Sequence, residues 1–244
     1  MSTAAAAADA PTPAVLHEHG DVSGGWLRPA VFGAMDGLVS NFALIAGVVG
    51  GTRGDHTHEV VLAGLAGLAA GAFSMAAGEY TSVASQAEHT AAEIETERRE
   101  IHLRPEAEQA ELTQMYVDRG IDRELAAAIA QQVHRDPETA VAVHVREEFG
   151  ADLDHLPSPL LAAVSSFVSF ALGAVLPLLP FLVGGSSLLP ALVVSFVALF
   201  ACGALVSRVT VRSWWYGGLR QLALGAAAAG LTYLIGQAVG ATLT

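Results

Sequence analysis

Long apolar runs alternate along the chain with one extended polar stretch. Five apolar segments, at about 29–51, 60–86, 159–183, 188–207 and 214–240, each approach or exceed the ~20 residues that an α-helix needs to cross a bilayer. Short connections join them except between the second and third, where residues 88–156 are polar and strongly acidic. That stretch has to face water. An odd number of spans puts the two termini on opposite sides.

Inside the polar stretch the pattern is helical. "HTAAEIETERREIHL" continues from the second span without a breaker. Pro105 suits the first turn of a new helix, "PEAEQAELTQMYVDRG", which Gly120 ends. Asp122 is placed to cap "RELAAAIAQQVHR", and "DPETAVAVHVREEFG" has Asp136 as cap, Pro137 just inside and Gly150 after the end. Leu112, Met115, Leu125, Ile129, Val133, Val141 and Val145 recur at spacings that bury one face. No strand pattern is present, so the expected fold is all-α.

The spans are dense in small residues. Gly67 and Gly71 form a GxxxG pair that lets helices approach closely. Pro177 and Pro180 are expected to kink or break the third span's hydrogen bonding, which membrane helices tolerate when neighbours compensate.

Composition strengthens the membrane reading. The chain is 52% hydrophobic and only 15% charged, with a mean hydropathy of +0.47. Of 24 acidic residues, 17 lie between Glu88 and Asp154. All 12 basic residues are arginines. A net charge of −12 argues against nucleic acid as a partner and for a cationic one. The single cysteine, Cys202, offers neither a disulfide nor a thiolate metal site within one chain. Residues 1–28 lack the basic start and apolar stretch of a cleavable signal and are expected to form a disordered tail. With the N-terminus inside, Arg28, Arg208, Arg212 and Arg220 are cytoplasmic and only Arg53 lies outside. The acidic domain then falls on the cytoplasmic side and the C-terminus on the opposite one.

Two carboxylates interrupt the apolar runs. Asp36 lies about 10 Å along the first span from Pro29, and Glu79 sits at a similar depth in the antiparallel second span. Met75 is one turn deeper, with Asn41 and Ser74 close by. Ionisable groups in hydrocarbon are costly and mark ion or proton routes by default. Carboxylates supply charge for a divalent cation, and a thioether adds softness that favours Fe(II) or similar metals over Mg²⁺ and Ca²⁺. The plainer alternative has both acids reaching out to the headgroups, which a short Asp does poorly.

The acidic domain repeats the theme. Glu93, Glu97 and Glu100 share one helical face, and Glu108 and Glu111 form an i, i+3 pair on the next helix. On the last helix His144 and Glu148 are i, i+4, with Glu147 adjacent, a spacing similar to ligand pairs in carboxylate-bridged iron bundles. Either these carboxylates hold metal or they form a solvated acidic face that Arg98, Arg99 and Arg104 partly offset. His89, His102, His134 and His155 have no regular partner spacing and read as surface residues. The pairs His17/His19 and His56/His58 read as incidental.

These stretches together resemble the vacuolar iron transporter family of Fe(II)/Mn(II) carriers. "GAMDGLVSNFALIAGVVGG", "AGAFSMAAGEYTSVASQAE", "EIETERREIHLRPEAEQAEL", "VREEFGAD", "SFALGAVLPLLPFLVGG" and "LFACGALVSRVTVRSWWYGGLRQL" carry the likeness, over about residues 25–240. The resemblance implies a homodimer of five-span subunits with the ion path at the dimer interface, exchanging protons for metal leaving the cytoplasm. It places Asp36 and Met75 on that path, with Glu79 just below. It matches Glu97, Glu100, Glu108 and Glu111 to the family's cytoplasmic metal-binding glutamates, and Glu148 to the acidic residue of the final helix. His144 stands about where plant members carry methionine, and Met35 where Asn is common. The likeness is to members without a ferritin-like domain, and a cell-membrane setting is expected.

The expected organisation is therefore a tail (1–28), spans 1–2 (29–87), a helical cytoplasmic metal-binding domain (88–156) and spans 3–5 (157–244). The expected function is a carrier rather than an enzyme, exporting Fe(II) or Mn(II) across a lipid bilayer with no organic cofactor. Two other readings stay open: a membrane-anchored iron-binding or ferroxidase protein, and a proton-coupled carrier of another substrate.

Overall fold

The computed structural model describes residues 25–52, 57–151, 157–208 and 212–243. Among them are eight helices and no strand: α1 (Leu27–Gly51), α2 (Thr57–Leu103), α3 (Pro105–Asp118), α4 (Arg123–Val133), α5 (Pro137–Phe149), α6 (Pro159–Leu182), α7 (Leu188–Val206) and α8 (Trp214–Leu243). Helices α1, α2, α6, α7 and α8 are long and apolar enough to cross a membrane. The tail as far as residue 24, Arg53, His56 and His155 lie outside the described residues.

Helix α1 is central to the apolar bundle and touches α2, α6, α7 and α8. Its Leu38, Phe42 and Ala46 pack with Leu199 of α7 and Ala229 of α8. Ile45 joins Val60 of α2, Leu178 and Phe181 of α6 and Ala191 of α7. Small residues allow this closeness. Gly37 lies against the Phe170 backbone of α6, and Gly173 of α6 lies against the Ala34 backbone of α1. At the far end Gly47 and Gly51 meet Gly236 and Gly240 of α8. These pairings make α1, α6 and α8 parallel, so the start of α8 shares an end of the bundle with the starts of α1 and α6.

Helix α2 runs unbroken for 47 residues, from the apolar bundle into the acidic region. Its polar half packs on α5 through Ile94 and Ile101 against Ala140, Val141 and Val145. Asp122 accepts from the backbone N–H groups of Glu124 and Leu125, and Asp136 from that of Thr139. Gly120 (φ 90°) and Gly150 (φ 63°) take the left-handed conformation that ends α3 and α5.

Two local expectations are corrected. Leu125 is 57% exposed, because α4 uses Ala126 and Ala130 as its buried face and Leu125 points away from it. His134 is half-buried rather than a surface residue, since the turn after α4 folds it against the His144 ring. Helix α6 continues through Pro177 and Pro180 to Leu182, with Pro177, Leu178 and Phe181 buried by their neighbours.

Candidate metal centre and ion path

Two groups of polar side chains stand apart from ordinary surface charge. The first lies where α2, α3 and α5 meet. Glu97 sits between Ile94 and Ile101 on the apolar stripe of α2, so the packing that buries those isoleucines buries Glu97 with them. Val141 and Val145 do the same for His144 on α5. Glu108 comes from the first turn of α3 and is also buried. One ligand atom from each of Glu97, Glu108 and His144 lies within 4.8 Å of the other two.

The ring of His144 is fully buried. Its Nδ1 hydrogen-bonds Glu148 Oε1 at 3.0 Å and lies 3.0 Å from Glu97 Oε1 and 3.8 Å from Glu108 Oε2. The approach to Glu97 lacks hydrogen-bond geometry, so Glu97 Oε1 and His144 Nε2 both remain buried without a hydrogen-bond partner. Unmet buried polar atoms cost free energy. A cation bound to carboxylate and imidazole would satisfy Glu97 Oε1 and offset the like charge collected here.

Electrostatics agree with a cluster that holds protons. Burial raises the Glu97 carboxyl, helped by the charges of Glu148, Glu108 and Glu111, and it reaches about 8. Glu108 is also raised, by burial first and then by Glu111. Protonated Glu97 can donate to the Glu108 carboxylate. His134, whose ring meets His144 edge to face at 5.2 Å, is held below the ordinary imidazole range, chiefly by burial.

The other acids of this region have separate partners. Glu100 pairs with Arg104 at 3.3 Å and Glu93 lies 3.8 Å from His89. Glu147 pairs with Arg119, which also donates to the Glu147 carbonyl at 3.2 Å and ties the end of α3 to α5. Glu111 is exposed and contributes its charge from the rim. The structure thus brings Glu97, Glu108, His144 and Glu148 together and leaves Glu93, Glu100 and Glu147 outside that knot. Sequence reasoning read His134 as a surface residue; the structure turns its Nδ1 to within 2.9 Å of the Ala130 carbonyl and its ring against His144.

A pH prediction follows from Glu97. A metal ion needs the carboxylate, whereas Glu97 keeps its proton below pH about 8 when no metal competes for it. Apparent affinity for Mn(II) in detergent should fall about ten-fold per unit as pH drops from 8 toward 6, and level off above 8. Glu97→Gln should flatten that slope, read by calorimetric titration across pH. The same raised acid favours the folded empty protein at low pH, with that contribution lost as pH rises from 4.5, the ordinary value, through about 8.

The second group lies in the apolar bundle. Asp36, Ser40, Asn41, Gly67, Gly71 and Ser74 line a cleft of ≈ 350 Å³ between α1 and α2, with Phe170 of α6 at its back. Asn41 donates to the Ala174 carbonyl at 2.6 Å, which leaves its Oδ1 buried and without a partner on the side of Gly67. Met75 packs against the buried cluster of Ala72, Phe170 and Ala174, and Glu79 is half-buried. Neither lines the cleft. Gly67, Gly71, Met75 and Glu79 recur every four residues, so they form one stripe of α2 leading from the cleft toward its acidic half.

The family model described as the VIT family matches residues 27–237. The chain belongs to the VIT family. It is 29% identical over 229 residues to vacuolar iron transporter 1 of Oryza sativa subsp. japonica, covering 91% of this chain and 90% of that protein. It is 34% identical over 155 residues to the vacuolar iron transporter of Acanthamoeba castellanii, covering 64% and 55% respectively. As a VIT-family member with five such helices the chain is a multi-pass membrane protein, and both polar groups lie within the matched span.

Proposed function

We propose that this VIT-family chain transports Fe(II) or Mn(II) out of the cytoplasm in exchange for protons. The observation that carries the reading is one continuous helix, α2, that contributes Glu97 to a buried carboxylate–imidazole cluster and Gly67 to Ser74 to the Asp36 cleft. Glu79 and Glu97 are 18 residues apart, about 27 Å along the helix. The relatives named as iron transporters support iron as cargo.

In this reading the cytoplasmic cluster takes metal as Glu97 gives up its proton. The ion then moves to Glu79 at the membrane border and on to Met75 and Asp36. Protons returning the other way reload the carboxylates. Carboxylates suit the exchange because they release protons as they take metal and the reverse. The soft Met75 thioether and the His144 imidazole select transition metals over Mg²⁺ and Ca²⁺.

The functional unit is a homodimer in the cell membrane. Helix α2 leaves Ala66, Ala69, Ala70, Ala77 and Gly78 exposed, small residues that allow a second helix to approach closely. A second copy there would close the cleft and bring Met75 and Glu79 beside it.

Proteoliposomes loaded with a metal-sensing dye and given an imposed pH gradient test this. Fe(II) or Mn(II) should enter only with a gradient of the right sense, and the protein mass of the detergent-solubilised particle should be twice the 25.1 kDa chain. Uptake indifferent to the gradient would remove proton exchange, and no uptake would remove the carrier.

A further inference from the structure

The α7–α8 corner holds charge that the proposed transport does not use. Residues 157–244 contain three arginines, Arg208, Arg212 and Arg220, and no Asp or Glu. Among the described residues none of the three forms an ion pair, whereas Arg98, Arg104 and Arg119 are all paired with glutamates. Arg208 and Arg212 line an open cleft of ≈ 720 Å³ together with Ala204 and Leu205 of α7 and Ser213 and Trp214 at the start of α8. The guanidinium carbons of Arg212 and Arg220 each stand 6.0 Å from the centre of the Tyr216 ring. That ring holds two cations in one place, by the attraction of cations to an aromatic face.

We propose that this corner binds the phosphate group of an anionic phospholipid. Guanidinium groups match phosphate oxygens in paired hydrogen bonds, and here they lack a protein anion. The cleft has an apolar side as well as a cationic one. Leu205 is 66% exposed and Trp214 60% exposed, on a helix end that faces lipid. A free phosphate ion makes no use of that wall, whereas an acyl chain lies along it. Trp214, Trp215 and Tyr216 are all exposed together, the residue types that settle at headgroup depth. The corner shares its end of the bundle with the starts of α1 and α6, so the bound headgroup sits on the same side as the acidic half of α2.

The experiment is native mass spectrometry of the full chain in mild detergent. The probes are phosphatidylglycerol, phosphatidylcholine and inorganic phosphate, added separately. Each basic group near an anionic lipid surface contributes about a five-fold preference. The intact protein should therefore retain phosphatidylglycerol over phosphatidylcholine by about ten-fold or more. Arg208→Gln with Arg212→Gln should bring that ratio close to one with the gel-filtration profile unchanged. Arg208→Lys with Arg212→Lys, which keeps the charge, should keep most of the preference and guards against a folding defect. Arg135→Gln, on an exposed turn, should leave the preference as it was. Equal retention of the two lipids by the intact protein, or an unchanged preference in the double Gln variant, overturns the site. Displacement of phosphatidylglycerol by inorganic phosphate alone overturns a lipid as its occupant.

Discussion

Asp36→Asn is expected to lower Mn(II) uptake into proteoliposomes by about 100-fold or more while leaving the fold intact. The substitution keeps the size of the side chain and removes only its charge. Asp36 is the one carboxylate lining the α1–α2 cleft; the rest of that lining is neutral. On the proposed path a divalent ion would exchange water for Asp36 and the free Oδ1 of Asn41. Losing a charge-assisted contact of about 2.7 kcal/mol corresponds to that factor. Fold retention follows because the Ser40 hydroxyl donates to the Asp36 backbone carbonyl at 2.6 Å, a contact that Asn preserves. Glu79→Gln should cost less, about ten-fold, since Glu79 lies below the cleft rather than in its wall. Stopped-flow traces with matched protein amounts measure both. Near-normal rates for Asp36→Asn would take the cleft off the ion path.

Gly37→Val carries the largest expected effect on stability. A Cβ at Gly37 would collide with the Phe170 carbonyl, and backbone on α6 cannot rotate aside as a side chain can. Gly173 makes the reciprocal approach to Ala34, so neither helix has slack to yield. Overpacking of this kind costs about 3 kcal/mol or more. For a chain of 244 residues that lowers Tm by about 6–12 °C. Separation of α1 from α6 also moves Phe170, which backs the Asp36 cleft, so transport should fall with stability. Gly230→Ala is the control, because nothing lies within 4 Å of a Cβ there. Thermal shift in detergent reads both variants, and an unchanged Tm for Gly37→Val would contradict the close α1–α6 contact.

Local chemistry was the part most legible from residues alone. Five apolar stretches near bilayer length declare five spanning helices, because length and hydropathy are properties of a segment by itself. The caps at Asp122 and Asp136 and the glycine stops at Gly120 and Gly150 were equally plain. Each depends on a few adjacent residues. The unbroken run from apolar to acidic in α2 was visible for the same reason, since no breaker interrupts it.

Partner choice was not legible in that way. Counting along α2 marks Glu93, Glu97 and Glu100 as sharing a face, yet only Glu97 lies between Ile94 and Ile101 where α5 covers it. Glu147 and Glu148 are neighbours in sequence, and one turns to Arg119 while the other turns to His144. His134 became interesting only through a ring on another helix. Asn41 was marked for its place near Asp36, but its free oxygen exists because Ala174, 133 residues away, takes the amide hydrogen.

The sequence by itself determined which segments are helical, which can lie in lipid, and where unusual charge resides, because helix propensity, capping and hydropathy act over a few residues. Only the tertiary structure decided which carboxylates meet a histidine, which meet an arginine, and which arginines gather on an aromatic ring instead. Those outcomes depend on helices separated by tens of residues arriving at one place, where burial and like charge act on whatever side chains the packing has brought together.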